Sequence, residues 1–133
     1  MSEKIKTKKG RFPFWLQPDA MDCGPACLRM VAAYYGKTFS LDYLREKTFK
    51  TREGVSLLAI SDTAEELGFR TLSASISYDE FSEEATLPAV AHWDQQHFVV
   101  VYRIKKDQVY IADPAHGLLK YSKKEFLKHW ASD

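Results

Sequence analysis

The hydropathy pattern of these 133 residues predicts an α+β domain, with N-terminal helices packed on an antiparallel sheet. Two observations carry that expectation. In the first half, apolar side chains recur at helical spacing and the runs stop at glycines. In the second half the period changes, and compact β-branched and aromatic runs are separated by short turn-like segments. Helices first and a meander of strands afterwards is the order of an α+β fold.

Taken in order, the elements justify themselves locally. From Cys23 to Tyr35 the positions Cys27, Leu28, Val31, Ala32 and Tyr35 share one helical face, and Gly36 is a natural stop. Ser40 is placed to cap a short helix carrying Leu41 and Leu44. Ser56 is placed to cap another, in which Leu57, Ile60, Ala64 and Leu67 form a stripe that Gly68 ends. "FRTLSASI" then reads as a strand, and Tyr78 to Glu84 as a short helix or a loop. "LPAVAHW", "HFVVVYRI" and "QVYIAD" are strands parted by the turns "DQQ" and "KKD", with "LLKY" as the last strand. Ser122 and Glu125 form a capping box for a closing helix with Phe126, Leu127 and Trp130. The basic segment 1–11 reads as a flexible lead-in, and residues 12–133 as one domain with no linker or repeat.

Composition narrows the function classes. Hydrophobic residues make up 45% of the chain, enough for a core in a single domain. Nineteen Lys and Arg against eighteen Asp and Glu leave a net charge of +1, which argues against nucleic acid as partner. No run reaches the roughly 18 apolar residues of a membrane span. The N-terminus lacks the apolar stretch of a secretory signal. Two cysteines four residues apart are no disulfide framework and point to a reducing, cytoplasmic setting. A soluble domain is expected, and its chemistry must come from particular residues.

The segment "QPDAMDCGPAC" raises that question directly. Cys23 stands at or just before a helix start, because Pro25 is comfortable only in a first turn. Unsatisfied N–H groups and the positive helix end then face the sulfur, an environment that favours thiolate. Three readings of Cys23 stand: a nucleophile, half of a metal or disulfide pair with Cys27, or a small buried residue. A metal site would need further ligands, and none of His92, His97, His116 and His129 has a known zinc spacing. Cys27 lies in the apolar stripe and reads as core.

His97 opens the strand after "DQQ", and Asp113 ends the next one. A turn at Lys105-Lys106 sets His97 opposite Pro114, whereas a turn at Lys106-Asp107 sets Asp113 opposite Val100. In either register Asp113 is the carboxylate best placed to hold the imidazole. A cysteine, a histidine and a carboxylate would supply a nucleophile, a base and an orienting group. Gln17, six residues before Cys23, is a candidate donor to an oxyanion, together with a backbone N–H at the helix start. His92, His116 and His129 read as structural or exposed.

The stretches "QPDAMDCGPACLRMVAAYYG", "HFVVVY" and "IADPAHG" resemble the papain-like cysteine peptidase domain at the N-terminus of peptidase-containing ABC transporters. The resemblance runs from about Phe12 to Trp130. It implies a papain-like fold for residues 12–133 and an endopeptidase that cuts bacteriocin or peptide precursors after a Gly-Gly pair. Carried over by position, it makes Cys23 the nucleophile, His97 the general base, Asp113 the group that orients it and Gln17 the oxyanion donor. No metal or cofactor is implied. Asp19 and Asp22 match a family pattern and are expected to cap.

The implied partners are a precursor with a Gly-Gly leader and the transmembrane and nucleotide-binding domains of a transporter, in cis or in trans. The implied location is the cytoplasmic face of a bacterial membrane. An apolar leader would lie in a shallow groove, with Tyr43, Phe49 and Tyr78 as candidate exposed aromatics. Relatives usually continue into membrane helices and an ATPase, whereas this chain stops at Asp133, as an excised domain or one that acts alone. The competing implication is a non-catalytic cargo-docking domain, as in haemolysin-type exporters, whose copies lack the nucleophile.

Overall fold

The computed structural model describes residues 12–49, 57–69, 77–94 and 97–130. A 3₁₀ turn, Ala20–Asp22, leads into α1 (Cys23–Tyr34); α2 (Leu41–Thr48), α3 (Leu57–Glu66) and α4 (Tyr78–Glu84) follow. Four strands come next: β1 (Ala89–Trp93), β2 (His97–Lys105), β3 (Gln108–Asp113) and β4 (Gly117–Ser122). The helix α5 (Lys123–His129) closes the chain. The strands form one antiparallel meander in the order β1-β2-β3-β4, the expected α+β arrangement. The strand expected at "FRTLSASI" and the cap expected at Ser56 lie, apart from Phe69, outside the described residues.

Alternation along the strands divides the interior in two. On one face of the sheet Phe98, Val100 and Ala112 meet Cys23, Cys27, Leu28 and Met30 of α1, with Leu44 and Ile60 behind them. On the other, Ala91, Trp93, Val99, Val101, Val109 and Ile111 meet Tyr78 and Phe81 of α4 and Phe126 of α5. Period-two side-chain placement makes this possible only if both faces of β2 and β3 are apolar, as "FVVV" and "VYIA" are.

α1 is buried more completely than a one-sided stripe implies. Gly24, Pro25, Ala26 and Met30 are buried as well, and Tyr35, expected on the inner face, caps the helix and is exposed. Small residues on several faces let α1 lie between the sheet and α2. Ser40 caps α2 as expected, accepting from Tyr43 N–H, and Ser122 with Glu125 closes the box at α5. Residues 78–84 are a helix, opened by a second capping box at Ser77 and Glu80. Leu127 is exposed on α5, and Trp130 lies just past its end, bridged to Trp93.

The β2–β3 hairpin decides what sits beside His97. Lys105 pairs with Gln108, so the turn is Lys106-Asp107, with Lys106 in the left-handed region at φ 55°. That register does not run straight on. It shifts between Val101 and Arg103, so Val100 pairs with Ala112 and not with Asp113. One extra residue on β2 moves Asp113 to the far side of the pleat from Val100, the side that carries Val99 and His97. Neither straight register allows for that bulge.

Candidate functional site

Four elements converge at the end of the sheet where β2 begins and β3 ends. Cys23 is the first residue of α1 and 6% exposed, with the open end of the helix around it. Asp19 accepts from Met21 N–H and so fixes the 3₁₀ turn that delivers the cysteine. Asp22 departs from its expected capping role. It makes no cap bond and is buried, its carboxylate held by Arg45 of α2 through Nε–H to Oδ1 at 2.8 Å and Nη2–H to Oδ2.

His97 stands at the start of β2. Its Nε2–H donates to Asp113 Oδ1 at 2.7 Å, which leaves Nδ1 as the nitrogen free for the sulfur. Cys23 is close enough to act on the ring by charge and by hydrogen bonding, less tightly than Asp113 does. Burial pulls the His97 pKa down. The bond to Asp113, the interaction with Cys23 and their two negative charges outweigh it and push the pKa up to about 9. The imidazolium form is therefore favoured at neutral pH.

Asp113 is almost wholly enclosed, with 3% of its side chain exposed, and besides His97 two further groups donate to it. Ala115 N–H reaches Oδ1 at 2.9 Å and His116 Nδ1–H reaches Oδ2 at 3.0 Å. Burial raises its pKa, but the bonds from His97, His116 and Ala115 N–H hold the carboxyl below its ordinary value.

Gln17 is brought to the same place by its backbone, whose N–H donates to Pro114 O at 2.7 Å. This bond ties the segment before Cys23 to the residue after Asp113. Its side-chain Nε2 donates to Asp19 O at 2.9 Å and Ala20 O at 3.3 Å, while Oε1 is buried without a partner. Cys27 is fully buried and unpaired with Cys23. Burial, and then the charges of Cys23 and Asp113, push its thiol well above the ordinary range, so it stays protonated and inert. Among the described residues no group of three or more His, Cys, Asp or Glu is arranged to hold a metal ion.

Two contributors escape a reading of the sequence. His116 is mostly exposed, as expected, yet it bonds the carboxylate behind His97. Its place one residue before Gly117, three after Asp113, is the only signal. Arg45 carries no motif at all. His92 stacks on Phe98, and His129 stacks on Trp93 while its Nδ1–H donates to Asp94. Of the suggested groove aromatics, Tyr43 is exposed but Tyr78 is buried against Phe126, which removes it from any surface.

A cysteine-led helix lying on a four-stranded antiparallel meander is the papain-like fold of cysteine peptidases. The chain belongs to the Peptidase C39 family, whose model matches residues 11–132. It is 36% identical over 120 residues to the colicin V secretion/processing ATP-binding protein CvaB of Escherichia coli, an alignment covering 90% of this chain and 17% of that protein. It is 37% identical over 119 residues to the lactococcin-G-processing and transport ATP-binding protein LagD of Lactococcus lactis, covering 86% of this chain and 17% of that protein. The chain thus spans about a sixth of the length of these curated relatives.

Solved structures agree. The crystal structure of a double glycine motif protease from an AMS/PCAT transporter, in complex with its leader peptide, superposes with a TM-score of 0.85 at 32% identity, covering 97% of this chain and 94% of that one. The peptidase domain of Streptococcus ComA, a bi-functional ABC transporter of a quorum sensing pathway, gives a TM-score of 0.78 at 30% identity, covering 92% and 94%. Among the described residues no helix is long and apolar enough to cross a membrane.

Proposed function

We propose that this chain is the cysteine endopeptidase of a peptide exporter, cutting precursor peptides after a Gly-Gly pair in their leaders. The observation that carries the proposal is the His97 ring, fastened through Nε2 to a buried carboxylate, with Nδ1 left over and a cysteine at a helix start close enough to raise its pKa. In this reading Cys23 thiolate attacks the carbonyl carbon of the second glycine and a C–S bond forms. The His97 imidazolium gives its proton to the leaving nitrogen as the C–N bond breaks, which leaves a thioester on Cys23. Water then loses a proton to His97 and attacks the thioester, releasing the leader and restoring the pair.

Asp113 keeps the ring in one orientation and stabilises its positive form, the function of the acid in such triads. The oxyanion receives the backbone N–H of Cys23 and the side-chain amide of Gln17, which exchanges its longer bond to Ala20 O for the new acceptor. Glycines, which carry no side chain, suit approach to a cysteine that is only 6% exposed. In this reading the working enzyme sits beside the transmembrane and nucleotide-binding parts of an exporter, at the cytoplasmic face of a bacterial membrane; the relatives' names as secretion, processing and transport ATP-binding proteins support it.

The test is mass spectrometry of double-glycine precursor peptides incubated with wild type, Cys23→Ala and Cys27→Ala. Wild type and Cys27→Ala are expected to release the leader after the second glycine, while Cys23→Ala binds the precursor and leaves it whole. Cleavage by Cys23→Ala removes the proposal. Binding without cleavage by the wild type would instead identify a cargo-docking module.

A further inference from the structure

An open pocket of about 510 Å³ has His97 and Asp113 in its lining. Trp93, Leu119 and Tyr121 make it predominantly apolar, and His116 and His129 stand in its wall beside His97. Neither Cys23 nor Gln17 lines it. We propose that this pocket is the subsite for the first two residues after the scissile bond, and that it takes an apolar or aromatic side chain there. The proposal rests on the peptidase reading given above and adds a specificity that the Gly-Gly pair cannot supply.

Two arguments fix the occupant. The residues just before the bond are glycines, which have no side chain to fill a cavity of this size. The first side chains near the reacting carbon therefore belong to the released peptide. The second argument is the direction of the proton. His97 hands it to the leaving nitrogen, so the chain beyond that nitrogen departs on the histidine side of the site. The pocket with His97 in its wall, and without the sulfur or the glutamine, is on that side.

The chemistry of the lining selects the guest. Each rim histidine is already matched with an acid: His116 Nδ1–H on Asp113 Oδ2 at 3.0 Å, and His129 Nδ1–H on Asp94 Oδ1 at 2.9 Å. His129 lies flat on Trp93, with ring centres 5.0 Å apart and planes 17° apart, and Tyr121 leans on it at 5.8 Å. This aromatic stack offers faces against which a planar or branched apolar side chain gains contact area. Because His116 also holds Asp113, a side chain seated here shields the His97–Asp113 pair from water at the moment of proton transfer.

The experiment uses a double-glycine leader that the wild type cuts, extended by Phe, Leu, Gly or Asp at the first and second positions after the pair. The same leader ending in a glycine methyl ester, with no residue beyond, is the control. kcat/KM is expected to be roughly tenfold higher for Phe and Leu than for Gly and Asp, the scale of a partly filled apolar pocket. Leu119→Trp, which fills the pocket, is expected to flatten that series.

A benzoylphenylalanine at the first position after the pair, irradiated on Cys23→Ala protein, should crosslink within residues 115–129. This readout does not depend on whether Leu119→Trp folds. A flat series in the wild type, or a crosslink to α1 or α2, overturns the subsite although the ester still turns over. Failure to turn over any peptide or the ester overturns the peptidase reading and this inference with it.

Discussion

At the scale of single residues, the His97 imidazole is held by groups that all favour its charged form. Its pKa of about 9 lies above the ordinary 6.5, so the proton is bound at neutral pH and leaves as the pH passes about 9. The proposed active form, thiolate with imidazolium, is lost over that same range. kcat/KM for leader cleavage should therefore fall on an alkaline limb near pH 9. Asp113→Asn removes the charge and the carboxylate acceptor that raise the pKa, so the limb should move to lower pH while leader affinity stays near wild type. A limb that does not move would show that Asp113 does not act through His97. Gln17 is argued on different grounds. Its backbone N–H is pinned to Pro114 O independently of the side chain, so Gln17→Ala deletes the amide head together with its bonds to Asp19 O and Ala20 O. Single-turnover acylation is expected to slow by about 10²-fold, the scale of one lost oxyanion donor. Unchanged acylation would remove it from the site.

At the scale of elements, α2 acts on the site without touching substrate. Arg45 is fastened to the buried Asp22 carboxylate, immediately before Cys23, and to the exposed Asp42 in its own first turn. Arg45→Ala leaves a buried carboxylate without its cation, a strongly destabilising change, whereas Asp42→Ala loses one surface contact worth little. Thermal unfolding should drop far more for Arg45→Ala than for Asp42→Ala; equal drops would mean that the Asp22 carboxylate is not held by Arg45 alone. This pair also marks where sequence reasoning stops. Helix starts at Cys23, Ser40 and Ser122 are legible because a cap or a first-turn proline is written within four residues. His97 and Asp113 are legible as strand ends, since the runs that carry them are unmistakably apolar. The bulge between Val101 and Arg103 is not, because nothing in "VYR" separates a paired residue from an extra one, yet it decides which face Asp113 takes. A long-range partner such as Arg45 for Asp22 depends on packing that no local pattern encodes, and even the nearby His116 reaches the second oxygen of Asp113 only through the path of the β3–β4 turn.

At the scale of the whole molecule, the sheet is a partition, and the three site residues are supplied from its two sides. Cys23 rides on α1 and belongs to the core that contains Met30, Leu44, Phe98 and Val100. His97 and Asp113 point toward the other side, where Phe126 is enclosed by Tyr78, Phe81, Trp93 and Trp130. Both Met30 and Phe126 are fully buried, so truncating either leaves a cavity. Met30→Ala should cost about 2–5 kcal/mol and Phe126→Ala about 3–5 kcal/mol of stability, read from denaturant unfolding. Their effects on turnover should nevertheless differ. A cavity under α1 lets the helix shift along the sheet, and with it the sulfur relative to a ring held on β2. A cavity under α5 relaxes among aromatic side chains, while β2 and β3 stay joined by their ladder and keep His97 on Asp113. Assayed where each variant is still folded, Met30→Ala should lose kcat and Phe126→Ala should keep most of it. Equal losses would mean that the sheet transmits strain from one core to the other, and that the cysteine and the histidine are not positioned independently.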